Sequence, residues 1–503
     1  MIVRGGRTGG PNGASPELAR LADTVLQPGF VGVEAPDWLR RRLAGGLGGV
    51  ALYSRNLVDG EQVRALTAAL RAENPDVVIA TDEEAGDVTR LEALTGSSRP
   101  GNLALGAVDD PELTELIARE VGLDMAAAGI DLDYAPVVDV NSDLDNPVVG
   151  TRAFGTDPRL VARHARAWVT GLQSAGVAGC AKHFPGHGAT AVDSHDDLPT
   201  VAYSAEELAA TTLPPYRAVI EAGVRAVMTG HLLVPAYDPD SPATMSGRIL
   251  VGLLREELGF DGLIVTDGVE MPSVAGRYGV TGAAVRALAA GADAICVGGE
   301  RKGPGVVGFI RNAIMAAVAD GTLPEERLAE AASRVRSLAA WSAARRRTAG
   351  AAVPGGGSAG LAAARRALRV RGDGLPLPSA PQVIELVSET NIAVDRATPW
   401  GVASPLAALL PGTTALRLGA EDAFPPPAAG RPLVIVVRDA HRHAWVADRL
   451  GALLSRRPDA IVVEMGLPGP ATPGATHITT HGATAASGRA AAEILAGHHR
   501  PRD

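Results

Sequence analysis

The residues best suited to chemistry are concentrated in one stretch, Ala178 to Pro199, which reads AGCAKHFPGHGATAVDSHDDLP. A short apolar run, Ala178–Ala181, gives way abruptly to Lys182 and His183, then to a Phe184-Pro185-Gly186 turn and His187. A loop with Asp193, Ser194 and His195 follows. Lys182 stands out because the chain has 47 Lys and Arg residues and only two are lysines, Lys182 and Lys302. A lysine kept among so many arginines indicates a need for a compact ammonium rather than a planar fork. Asp193 lies two residues before His195. An acid beside an imidazole fixes its tautomer and stabilises its charged form, which suits giving and taking a proton near neutrality. The same Asp-Ser-His is also compatible with an ordinary polar loop. Asp267, in GLIVTDGVEM, ends an apolar run and precedes glycine. It either caps the next turn or, beside the His195 loop, presents a carboxylate nucleophile of the kind that forms a glycosyl ester.

Other polar residues fit the binding of a hydroxyl-rich ligand. Asp82 and Arg90 in TDEEAGDVTRL, and Arg152 in NPVVGTRAFG, pair acceptors with donors as a sugar clamp would. Lys182 and His183 can do the same, while Arg152 reads equally well as a salt-bridge residue. His187 reads as part of the turn that positions the His195 loop.

These residues need a frame that brings strand ends together. Apolar runs predict strands at Gly29–Val33, Gly49–Tyr53, Val77–Thr81, Ile130–Pro136, Ala178–Lys182, Ala226–Gly230, Leu263–Thr266 and Ala292–Val297. Segments of helical period alternate with them, among them Gln62–Glu73, Pro111–Ala128, Arg159–Ser174 and Thr281–Ala290. Ser204 and Glu207 have the spacing of a capping box. Eight strand–helix units imply a (β/α)8 TIM-type barrel over residues 1–345, with a doubly wound sheet as the competitor. The strand ends favour the barrel. Tyr53 to Asn56, Asp82 to Glu84, Asp133, Asp139, Lys182-His183, His231 and Asp267 all follow apolar runs, and in a barrel those ends share one mouth.

A Gly-rich linker is expected at 346–360. Beyond it, runs at Val383–Leu386, Thr414–Leu418, Leu433–Val437, Ala460–Val463 and Thr476–Thr479 predict a smaller three-layer α/β sandwich domain over 361–503. Its Glu464, His477 and His481 are candidates for a supporting wall or for loop packing.

Composition narrows the function classes. A net charge of −9 and a pI near 5.7 disfavour a polyanion partner, and 3% aromatics disfavour base-stacking platforms, so no nucleic acid is expected. Cys180 and Cys296 lie in apolar runs and read as buried small hydrophobes. With no apolar signal segment and no run of about 18 apolar residues, a cytoplasmic protein without a membrane span is expected.

With these pieces assembled, the chain resembles the β-N-acetylglucosaminidase branch of glycoside hydrolase family 3, in its two-domain actinobacterial form. The resemblance rests on Asp82…Arg90, NPVVGTRAFG, KHFPGHG at 182–188, the DSH loop at 193–195, and TDGVEM. It implies a retaining, exo-acting hydrolase of terminal β-linked N-acetylglucosamine, with Asp267 as nucleophile and His195 with Asp193 as acid/base. It implies sugar binding by Asp82, Arg90, Arg152, Lys182 and His183, and no cofactor or metal. The family's acidic motif usually has Gln, two Gly and Arg after the first Asp, whereas here Glu83-Glu84-Ala85-Gly86-Asp87 puts an acid in the arginine position. The same residues suit a phosphorylase with inorganic phosphate as acceptor, because a neutral imidazole does not repel a phosphate dianion as a second carboxylate would. Two further readings compete. One is a metal-dependent barrel hydrolase using His183, His187, His195, His231 and Asp267, although Pro185-Gly186 spoils the ligand spacing. The other is a catalytically silent sugar-binding protein.

Overall fold

The computed structural model describes residues 15–190, 193–194, 197–298, 305–348, 358–428 and 430–499. Its first half contains strands β1 (Leu26–Pro28), β2 (Gly49–Leu52), β3 (Val78–Thr81), β4 (Leu132–Asp133), β5 (Ala178–Phe184), β6 (Ala226–Thr229), β7 (Leu263–Thr266) and β8 (Ile295–Val297). Strands β2 to β7 pair in sequence order as one parallel sheet, and β1 pairs parallel with β8. A bridge between Val265 and Ala294 carries β7 into β8. Among the described residues no ladder joins β1 to β2, but the Gly48 amide reaches the Asp23 carbonyl at 3.2 Å across that seam. The strands therefore curl into a TIM-type barrel, as the strand–helix alternation predicts.

Residue size explains why the barrel closes. Inward-facing positions are small or slender: Ala51, Ala80, Ala178, Cys180, Ala226, Ala294 and Cys296 pack around Tyr134. Alternate positions such as Val50, Ile79, Val227 and Ile264 face the surrounding helices. Val335, Leu338 and Ala339 of the last helix, Glu325–Thr348, join the inner cluster and plug the amino-terminal end of the barrel. Charge fastens that plug. Arg346 pairs with Asp131 before β4, and Arg327 with Asp293 before β8. With the bottom filled, only the carboxyl-terminal mouth is left for chemistry.

Two strands differ from expectation. The first lies at Leu26–Pro28 rather than Gly29–Val33, and Val31 and Val33 are exposed in the following loop. Its middle residue, Gln27, points inward to accept from the Tyr134 hydroxyl at 2.8 Å, so the run is not apolar. The Asn56 side-chain amide donates to the Phe30 and Gly32 carbonyls, so that loop is held by side-chain bonds. The strand expected over Ile130–Pro136 is only Leu132–Asp133, because Pro136 has no amide to donate.

The second half holds β9 (Arg369–Arg371), β10 (Gln382–Leu386), β11 (Thr414–Leu418), β12 (Leu433–Val437), β13 (Ile461–Glu464) and β14 (Thr476–Thr479). They form one sheet in the order β11-β10-β12-β13-β14-β9, parallel except for β9. One face packs on helices Ser358–Ala367, Ala403–Leu409 and Ala485–Leu495, the other on Ala444–Arg456. This is the three-layer sandwich expected. Of the linker named at 346–360, residues 349–357 lie outside the described residues, and the barrel's last helix continues to Thr348.

Candidate active site

The mouth of the barrel is organised by buried charge. Lys182, in the long strand β5, is 1% exposed, and its ammonium lies 2.6 Å from Asp82 after β3 and 2.8 Å from Glu84. Arg152 approaches the same Glu84 side-on, with Nε at 2.9 Å and Nη2 at 2.7 Å. Its Nη1 donates to the Val148 carbonyl at 3.1 Å. Burial alone would push Glu84 up, but the guanidinium of Arg152 and the ammonium of Lys182 outweigh it and hold the carboxyl well below the ordinary range. Burial would lower Lys182, yet the Asp82 and Glu84 carboxylates raise it instead. Glu84, Lys182 and Arg152 therefore hold one another in their charged forms. Lys182 still has one of its three N–H groups, and Arg152 two of its five, uncommitted among the described residues.

His183 is fixed separately. Its Nδ1 lies 2.8 Å from Asp139, whose other oxygen accepts the backbone amides of His183 and His187 at 3.3 and 2.7 Å. Asp139 thereby turns the His183 ring and shapes the Pro-Gly turn, leaving Nε2 of His183 as the edge available to a ligand. His187 packs its edge towards His183 and places Nδ1 2.8 Å from the Thr190 hydroxyl, as expected of a turn residue.

Asp267 follows β7 and is partly exposed. Its amide donates to Thr229 at 3.1 Å, and its Oδ1 accepts the Gly268 amide at 2.7 Å. His231 braces this turn: Nε2 lies 2.9 Å from the Gly268 carbonyl, so it carries a proton, and Nδ1 lies 2.9 Å from Thr244. The carboxylates converge on the mouth. Burial pushes the Cys296 thiol up, and the charges of Glu270, Asp267 and Asp82 push it further.

The structure thus brings Asp82, Arg152 and Lys182 into one cluster, with His183 beside Lys182 in β5. Arg90 donates from Nη2 to the Ala393 carbonyl of the second domain at 2.9 Å. Asp193 is partly exposed, and its carbonyl accepts the Asp197 amide at 3.1 Å. His195 lies outside the described residues. For the metal reading, no three His, Cys, Asp or Glu side chains stand together as a ligand set among the described residues.

Residues 33–338 match the N-terminal domain of glycosyl hydrolase family 3. The chain belongs to that family. A protein named beta-hexosaminidase from Pseudomonas aeruginosa is 42% identical over 258 residues, which is 49% of this chain and 74% of that protein. Another of that name, from Alkalilimnicola ehrlichii, is 38% identical over 255 residues, 50% of this chain and 73% of that one. The solved structure of a glycoside hydrolase family 3 beta-N-acetylglucosaminidase from Paenibacillus sp. str. FPU-7 superposes with a TM-score of 0.85 at 32% identity. That likeness covers 96% of this chain and 97% of the other, so both domains are shared.

In this family-3 chain, sequence reasoning had left two acids unassigned. Glu84 and Asp139 were visible only as strand-end acids. The signal that would have found them is the pair of buried cations at the mouth, because a buried ammonium or guanidinium requires a counter-charge. The second-domain candidates prove to be packing residues. Glu464 accepts the amides of Asp439, Ala440 and Gly466, while His477 and His481 bond the carbonyls of Pro473 and Ala367. Among the described residues no helix is long and apolar enough to cross a membrane.

His187 makes a pH prediction. Burial pushes its pKa from the ordinary 6.5 down to about 4. The unfolded chain therefore takes up this proton first, and stability falls as pH drops from 6.5 towards 4. The loss approaches about 3 kcal/mol for this group at the acid end of that window. Urea denaturation at pH 7.0 and 4.5 should show a smaller acid loss in His187→Gln than in the wild type. Equal losses would mean that His187 does not set the acid limb.

Proposed function

We propose that the chain is a retaining, exo-acting β-N-acetylglucosaminidase. The observation that carries this reading is the Asp82–Lys182–Glu84–Arg152 clamp at the mouth that also bears Asp267. It offers Asp82 as an acceptor and the remaining N–H groups of Lys182 and Arg152 as donors, which suits an uncharged sugar dense in hydroxyl groups. The beta-N-acetylglucosaminidase of Paenibacillus, similar over nearly the whole chain, supports the choice of sugar.

In this mechanism an Oδ of Asp267 attacks the anomeric carbon as the glycosidic bond breaks, and His195 protonates the departing oxygen. Asp193 steadies the imidazole. A glycosyl ester on Asp267 results, with the anomeric configuration inverted. His195 then takes a proton from water as the water attacks the same carbon from the other face. The second inversion restores the β configuration and frees Asp267.

Product analysis tests the proposal. With p-nitrophenyl N-acetyl-β-glucosaminide, the nitrophenol and the β-anomer of N-acetylglucosamine should appear first by proton NMR, with the same products in phosphate buffer. No release would sink the hydrolase. N-acetylglucosamine 1-phosphate formed on adding phosphate would make the chain a phosphorylase using the same residues.

A further inference from the structure

The acid that replaces the family's usual arginine has an unexpected partner. Asp87 is buried in the loop that follows β3, and its Oδ2 accepts Arg438 Nη2 at 2.8 Å and the Thr151 hydroxyl at 2.9 Å. Its Oδ1 accepts the Ala483 amide at 2.7 Å. Arg438 and Ala483 belong to the second domain, 351 and 396 residues further along the chain. Arg438 follows β12 and is itself 5% exposed. In the sheet order β11-β10-β12, the point between β10 and β12 is where the strand order reverses, the crevice where open α/β sheets usually bind a ligand. Here the carboxyl end of β12 receives a carboxylate from the barrel.

Two further contacts join the second domain to the clamp. Arg90, three residues after Asp87, gives its guanidinium to the Ala393 carbonyl. Asn391 donates at 3.4 Å to the Val148 carbonyl, the one that also holds Arg152 at 3.1 Å. Glu84 lies between these points, three residues before Asp87 and bonded to Arg152 and Lys182. The backbone of the loop is tied on itself by Glu83, which accepts the amides of Arg90 and Leu91 at 2.9 Å. The whole segment 83–91 is thus clasped between barrel and second domain.

We propose that Arg438 is a positioning residue for the sugar clamp. It holds Asp87, and through the 83–91 loop it sets where Glu84 presents Lys182 and Arg152. The second domain then contributes to substrate affinity without touching the reacting atoms. This inference rests on the reading of the clamp as the sugar site.

The test uses the full chain and the variants Arg438→Gln, Asp87→Asn, their double mutant and Arg438→Lys. On p-nitrophenyl N-acetyl-β-glucosaminide, Arg438→Gln should raise KM roughly tenfold and change kcat by less than about threefold, the size expected for coupled neighbours. The double mutant should be no worse than the poorer single variant, and Arg438→Lys should recover part of the loss. Hydrogen exchange supplies a readout that needs no turnover, namely faster exchange of the 83–91 amides in folded Arg438→Gln. It keeps this proposal separate from the sugar assignment if the substrate is not cleaved. Unchanged exchange in that segment, additive KM effects, or an unchanged KM in folded Arg438→Gln would each overturn the proposal.

Discussion

Replacing Asp267 by alanine should lower kcat on p-nitrophenyl N-acetyl-β-glucosaminide by roughly ten-thousandfold, the scale seen when the central group of a covalent mechanism is removed. The fold should survive. Asp267 is only partly exposed, but the contacts that shape its turn are largely backbone ones, the amide to Thr229 and the Gly268 carbonyl to His231. Its side chain accepts the Gly268 amide at 2.7 Å, and losing that bond costs about the 1 kcal/mol typical of one hydrogen bond. A turn-capping role predicts that modest loss of stability and little loss of rate. A nucleophile predicts the same modest loss of stability together with the large loss of rate. Added azide separates the two further, because it can occupy the space left by the carboxylate and attack the anomeric carbon directly. Turnover of Asp267→Ala should then recover in part and yield the α-glycosyl azide, with a single inversion. Wild-type kcat in the variant, or failure of azide to give that product, would remove Asp267 from the proposed role.

How far the sequence leads can be seen at particular residues. The barrel strands are legible because parallel strands are buried on both faces and read as continuous apolar runs, as Val78–Thr81 and Leu263–Thr266 do. The first strand is misplaced because Gln27 turns inward, where its Oε1 accepts the Tyr134 hydroxyl, and Val31 and Val33 are more apolar than the strand itself. The antiparallel β9 was invisible, since Arg369-Val370-Arg371 reads as the charged end of the preceding helix and its arginines are exposed. At the site, Lys182 and Asp267 were legible from residue type and from their place after apolar runs. Their partners were not. Lys182 meets Asp82 across 100 residues, Arg152 meets Glu84 across 68, and Arg438 meets Asp87 across 351. Nothing local to an acid announces which distant cation will neutralise it. That choice is made by the closure of the barrel and the docking of the second domain.

The second large effect is expected at Glu84, where stability and binding are joined. Glu84, Arg152 and Lys182 have side chains 4, 5 and 1% exposed, so none is bathed by water. One carboxylate accepts from both cations, while Asp82, 20% exposed, shares only the lysine among the described residues. In Glu84→Leu, Arg152 would keep the Val148 carbonyl but lose its counter-charge, leaving a buried guanidinium uncompensated. Breaking a buried pair in this way costs on the order of 3–5 kcal/mol, more than the carboxylate's own desolvation returns. Glu84→Gln keeps the shape and one acceptor, but its amide N–H groups face donors, so it should recover less than half of that loss. Denaturation in urea at pH 7 should show this order: wild type, Glu84→Gln, Glu84→Leu. Because the folded pKa of Glu84 is held below the ordinary carboxylate range, its contribution is present above about pH 4.5 and is lost only as pH falls through that depressed value. The differences among the three proteins should therefore persist down to about pH 4.5. KM for the N-acetylglucosaminide should rise in the same order, since the donors offered to the sugar are aimed by this carboxylate. A Glu84→Leu protein as stable as the wild type would mean that the clamp is not held by its buried charges.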